Sequence, residues 1–95
     1  MGSIAARHAM AVVANVQRIL ALELLVGAQA LDLRLDLSTT GGRPVRAGTG
    51  VAEAHSRIRS VVPHLDRDRL QTADIEAAFG LVRERTLVDL TTVAG

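Results

Sequence analysis

The chain has 95 residues, 48% of them hydrophobic and 22% charged, with a formal net charge of +1, which bounds it to one small domain or a piece of a larger one. That balance excludes disorder, and the absence of Cys excludes a disulfide scaffold and a zinc ribbon while fitting a reducing, cytosolic setting. With one Phe and no Tyr or Trp, the interior must be built from Ala, Val, Leu and Ile, and the stacking platforms of single-strand nucleic-acid binders are missing.

The amino terminus, Met1-Gly2-Ser3-Ile4-Ala5-Ala6-Arg7-His8, has no uninterrupted apolar core beside its charge and is not read as a targeting signal. A long helix is predicted over residues 1–31, regular from Ile4 to Leu31 with Ser3 as N-cap, because Ala and Leu dominate and Pro is absent. At about 1.5 Å per residue it would be roughly 40 Å long. Its first half is amphipathic, with Val12, Val16 and Ile19 on one face. Its second half, from Ile19 to Ala28, is apolar around nearly the whole circumference, as in a helix surrounded by protein. The apolar run Ile19 to Leu31 contains Glu23 and Gln29 and falls short of the roughly 20 residues a bilayer requires, so no membrane span is expected.

Residues 32–50 are predicted as a connector. Asp32-Leu33-Arg34-Leu35-Asp36-Leu37 alternates polar and apolar residues, and with no partner strand it is read as an extended exit from the helix. Ser38-Thr39-Thr40-Gly41-Gly42-Arg43-Pro44 is turn chemistry. A second helix is predicted over 51–62, with Val51, Ala54, His55, Ile58, Val61 and Val62 on one stripe, a Glu53–Arg57 pair one turn apart and Pro63 as the stop. A third is predicted over 72–85, with Thr72 as N-cap, Asp74 and Glu76 in the first turn and an apolar face of Ile75, Ala78, Phe79 and Val82. Residues 86–95 are read as a tail to which Leu87-Val88-Asp89-Leu90 adds a last turn. The fold expected is therefore all-α, one long helix followed by two or three shorter ones. Two short helices cannot enclose a helix that is apolar all round, so the chain must self-associate or belong to a larger helical protein.

Few residues could carry chemistry. His55 and His64 lack the spacing of a metal site, and no HExxH is present. His64, next to Asp66 and Asp68, could be oriented as a general base, but no nucleophile or oxyanion element accompanies it, and a solvated loop is the plainer reading. Gly48-Thr49-Gly50, with Arg43 and Arg46 nearby, has the look of a phosphate cradle before a helix. Glu53 stands where a third glycine would be needed and no Lys completes a P-loop, which favours a linker that caps the second helix. All eleven basic residues are Arg, but they are interleaved with Glu53, Asp66, Asp68, Asp74, Glu76 and Glu84, which predicts a salt-bridged surface and argues against a nucleic-acid partner.

Several segments in order carry a family resemblance. Met1-Gly2-Ser3-Ile4-Ala5-Ala6-Arg7, Asn15-Val16-Gln17-Arg18-Ile19-Leu20-Ala21-Leu22-Glu23-Leu24-Leu25 and Ala28-Gln29-Ala30-Leu31-Asp32-Leu33-Arg34 resemble the carboxyl-terminal part of the aromatic amino acid ammonia-lyases, bacterial histidine ammonia-lyase above all. Arg57-Ile58-Arg59-Ser60-Val61-Val62-Pro63, with Leu65, Asp68-Arg69 and Asp74-Ile75-Glu76-Ala77-Ala78, continues it to about Val82. His64 and Gln71-Thr72 depart from the family pattern.

The resemblance implies a helical homotetramer whose centre is a bundle of long helices. The partners would then be the remainder of the lyase polypeptide or other subunits, meeting the Ile19–Leu31 face. Ala21, Gly27, Ala28 and Ala30 would permit close approach, and Glu23, Gln29, Asp32 and Arg34 would be structural polar groups paired within or between subunits. The family's cofactor is a methylidene-imidazolone formed from an internal Ala-Ser-Gly, which draws electrons from the amino acid so that ammonia is eliminated, histidine giving urocanate. This chain has no Ala-Ser-Gly and no Tyr, and it starts just after the place of the family's Gln-Glu/Asp-Asp-His-like active-site segment. No catalytic, cofactor-binding or metal residue can be assigned to any position. The expectation is a carboxyl-terminal fragment, separately encoded or truncated, that supplies scaffold and is inactive alone. The alternative is a stand-alone helical self-association module.

Overall fold

In a computed structural model that describes residues 2–40 and 45–88, the chain is three helices: α1 (Gly2–Thr40), α2 (Thr49–Arg59) and α3 (Thr72–Arg83). At about 1.5 Å per residue α1 spans some 58 Å, nearly the whole 62 Å long axis of the molecule. The other two helices lie against its second half, α3 along the longer stretch.

The predicted connector over 32–50 is corrected by the structure: α1 does not stop at Leu31 but continues through Asp32–Leu37 to Thr40. Alternation over six residues does not exclude a helix, since in a helix the positions three or four apart share one side. Here Leu31, Asp32 and Leu35 are half-buried while Leu33, Arg34 and Leu37 are exposed. Gly41 to Pro44 lies outside the described residues, as does the tail from Asp89. Ser3 is inside α1 rather than capping it, and Gln71, not Thr72, is the N-cap residue of α3, differences of the size expected at frayed helix ends. By length and composition alone α1 is long and apolar enough over Gly2–Leu37 to cross a bilayer, which corrects the expectation of no membrane span drawn from the run Ile19 to Leu31. α1 also carries Asp32 into a polar cluster with the other elements.

Ala14, Gln17, Ala21, Leu24, Leu25, Ala28, Asp32 and Leu35 recur at spacings of three or four and form the face of α1 that the rest of the chain covers. Ala21 packs with Ala78 and Phe79 of α3, and Ala28 with Ile58, Val62 and Leu81. Alanines at 21, 28 and 78 let the helix axes approach, consistent with an interior that has one aromatic ring. The face predicted from Val12, Val16 and Ile19 turns out to point away from α2 and α3, each of the three being about half exposed or more. Residues 2–13 are exposed without exception.

The short helices depart from their predicted bounds: α2 spans Thr49–Arg59 instead of 51–62, and α3 ends at Arg83 instead of 85. α2 stops at Arg59, four residues before Pro63, and Ser60 Oγ donates to the Arg57 carbonyl at 2.6 Å. α3 runs through Gly80 and closes in a Schellman turn, with Thr86 N–H bonding Leu81 O and Arg85 N–H bonding Val82 O, both at 3.1 Å. Arg85 takes the left-handed position of that turn at φ 57°, where glycine is usual.

Candidate functional site

The polar residues concentrate where the far half of α1 meets α2 and the 60–71 loop. Helical register puts Gln29 and Asp32 three residues apart on the covered face of α1, and His55 and Arg59 four apart on α2. Asp32 is the hub. Its Oδ1 lies 2.5 Å from His55 Nε2, and its Oδ2 accepts from Arg59 Nη2 at 2.6 Å and Nε at 3.1 Å and lies 2.7 Å from His64 Nδ1. Burial alone pushes the Asp32 carboxyl up. The hydrogen bonds from His64, Arg59 and His55 and the Arg59 charge together outweigh it, lowering the pKa from 3.8 to about 2.

Around the hub, side chains hold backbone. Gln29 grips Leu65 from both sides of its amide, its Nε2 donating to Leu65 O at 2.9 Å and its Oε1 accepting Leu65 N–H at 3.2 Å. Arg59 Nη1 reaches the carbonyls of Val62 and Pro63, and Arg69 donates to the carbonyls of Pro63 and His64 while pairing with Asp74 at 3.0 Å. Seven residues thus fix a loop that contains no regular structure of its own. Elsewhere Arg18 pairs with Glu76 at 2.9 Å and lies 4.4 Å over the Phe79 ring, and Arg57 bonds Glu53 and the Thr86 carbonyl. Among the described residues no buried side-chain nitrogen or oxygen lacks a partner.

The two histidines singled out in the sequence are therefore brought together, with a partner the sequence did not indicate. His64 is oriented by Asp32 of α1 rather than by Asp66 or Asp68, and His55, predicted on the stripe of α2, bonds the same carboxylate. A carboxylate held near a pKa of 2 by three cationic or donor groups is a poor proton acceptor, and among the described residues no hydroxyl is hydrogen-bonded to it. Among the described residues no group of three or more His, Cys, Asp or Glu side chains could hold a metal. Gly48 sits at the N-cap of α2 with no side-chain bond to the helix, and its carbonyl accepts Ala52 N–H at 2.8 Å; Arg43 lies outside the described residues. The arrangement is a clasp that locks α2 and the following loop onto α1.

Residues 1–60 match the family profile of aromatic amino acid lyases. The histidine ammonia-lyase of Anaeromyxobacter sp. (strain K) is 52% identical over 84 residues, which cover 88% of this chain and 15% of that protein. That of Natranaerobius thermophilus is 40% identical over 88 residues, 93% of the chain and 16% of the relative, and that of Gloeobacter violaceus 43% over 94 residues, 99% and 17%. No solved structure matches the chain. The chain spans about one sixth of the length of these relatives, and on the extent of the match it belongs to the aromatic amino acid lyase family.

Proposed function

We propose that this chain is the carboxyl-terminal scaffold segment of a histidine ammonia-lyase-type enzyme, supplying helix contacts to an assembly that performs the elimination and no reacting group of its own. The observation that carries the reading is the mismatch of coverage: nearly all of this chain aligns with histidine ammonia-lyases, yet it accounts for only 15–17% of their length. The structure supports it from two sides. Its one dense polar cluster is spent on holding elements together, and much of α1 presents Val, Ile and Leu to solvent, as a helix does when its neighbours belong to other chain segments. In this reading the parent reaction is histidine to urocanate in the cytoplasm, and the electrophile forms elsewhere in the lyase.

The purified chain, incubated with histidine and followed by urocanate absorbance, is expected to give no product. Turnover by the chain alone would refute the assignment of scaffold without chemistry.

A further inference from the structure

The clasp uses one ring nitrogen of each of its two histidines and leaves the other over. Asp32 is held ionised, so its oxygens only accept hydrogen bonds and each ring nitrogen that faces them must carry the proton. His55 therefore donates from Nε2 and His64 from Nδ1. A neutral imidazole has a single N–H, so the nitrogen that does not face Asp32 keeps its lone pair.

The two spare nitrogens differ in what can reach them. In His55 the lone pair is on Nδ1, the nitrogen nearer its own backbone in α2, and the side chain is 24% exposed. In His64 it is on Nε2, the nitrogen farther from the backbone, on a loop side chain that is 40% exposed, and Nε2 has no hydrogen bond among the described residues. Beside the ring opens a cleft of about 400 Å³ lined by Asp32, Leu35, Asp36, His55, Arg59 and His64, which is room for a small molecule. Backbone as well as ring is held, since Arg69 Nη1 donates to the His64 carbonyl at 3.1 Å. An imidazole fixed by a carboxylate through Nδ1, with Nε2 presented to an open cleft, is arranged as a nucleophile or base. His8, exposed on the first turns of α1, has no such carboxylate and serves as an internal standard.

Charge narrows the class of substrate. Asp32 and Asp36 set two carboxylates around the cleft against the one Arg59 guanidinium, which disfavours an anionic phosphoryl donor and leaves a neutral acyl donor.

We propose that His64 Nε2 is an acyl-acceptor site that cleaves small, neutral, activated esters, with Asp32 as the residue that positions the ring. Nε2 attacks the acyl carbon, the C–O bond of the ester breaks, and its electron pair leaves on the departing oxygen, which needs no proton from the protein. The cationic acylimidazole keeps its Nδ1 proton against the Asp32 carboxylate. Water then adds, the C–N bond breaks with its electron pair returning to Nε2, and the acid formed releases its proton to solvent. This activity is separate from the scaffold reading, because ester cleavage uses no part of the ammonia elimination.

The purified full chain and p-nitrophenyl acetate test it. The wild-type chain is expected to release p-nitrophenolate, H64Q to lose at least about tenfold of that rate, and H8Q to stay within about twofold of it. Diethyl pyrocarbonate, which leaves a more durable adduct, should by mass spectrometry modify His64 before the more openly placed His8. Long-range nitrogen–proton NMR of the neutral rings should find the proton on Nδ1 in His64 and on Nε2 in His55, and D32N should abolish that preference in His64 while lowering the ester rate. The NMR measurement on the wild-type chain needs no variant, so it decides even where a substitution at residue 32 or 64 unfolds the protein. p-Nitrophenyl phosphate should not be cleaved. An H64Q chain as fast as wild type, modification of His8 ahead of His64, or a protonated Nε2 in neutral His64 overturns the site, and phosphate-ester cleavage at a comparable rate overturns the acyl class.

Discussion

Asp32 gathers four hydrogen bonds from three side chains that lie 23 to 32 residues away in sequence. Its carboxylate is largely buried, 16% exposed, and removing its charge takes the carboxylate partner from Arg59 and from two imidazoles. Asp32→Asn is expected to cost about 2–3 kcal/mol in urea unfolding at neutral pH. The group also fixes a pH dependence. Its folded pKa, about 2, is below the ordinary 3.8, so the stabilisation is fully present above the ordinary value and fades as the pH falls through about 2. The shift corresponds to about 2 kcal/mol, and the wild-type urea midpoint should fall over that acid range more steeply than that of Asp32→Asn. Equal slopes would show that Asp32 is not held ionised by the cluster. The resemblance implied that Gln29 and Asp32 are paired structural polar groups, but their partners were not legible in the sequence, because the alternation of residues 32–37 was read as an extended exit and detached Asp32 from the helix. Continued helical register would have placed Gln29 and Asp32 on the covered face of α1, and polar side chains there, opposite a His–Arg pair one turn apart on α2, are the signal that could have found the clasp.

For the helices, local chemistry was a better guide than pattern. The Glu53–Arg57 pair and Pro63 located α2, and the run from Ile75 to Val82 located α3, since caps, charges and breakers act within a turn or two. The end of α1 escaped because its stop depends on tertiary partners for Asp32 and Leu35, not on a breaker between Leu31 and Thr40. The direction of the Val12, Val16 and Ile19 face was likewise unreadable, since an apolar stripe states that something covers it and not whether that something is in the same chain. The close of α3 gives a prediction of its own. Arg85 holds a left-handed conformation at φ 57° that disfavours any residue with a Cβ, while the Schellman bonds require the backbone to stay there. Arg85→Gly is expected to raise stability by about 0.5–1 kcal/mol in thermal or urea unfolding. Destabilisation would mean that the side chain contributes more than its backbone costs.

At the scale of the molecule, the interior consists of Ala21, Ala28, Ile58, Val62, Ala78, Phe79 and Leu81, three of them alanines, against a long list of exposed Val, Ile and Leu on α1. A core of that size supports little stability by itself, and small domains with so much uncovered apolar surface are completed by association. The near absence of aromatics, which composition alone left as an oddity, suits helices brought close together at Ala21, Ala28 and Ala78. The all-helical architecture and the family were both readable from the residues, since they rest on Ala/Leu-rich composition and on ordered local motifs. The most direct test of the scaffold reading exchanges the matching segment of the Anaeromyxobacter histidine ammonia-lyase for this chain and measures urocanate formation. The chimera is expected to fold, assemble and retain turnover within about tenfold of its parent, as the scaffold reading requires. A chimera that folds and assembles like its parent but has lost turnover would contradict the account, since the segment would then supply chemistry and not scaffold.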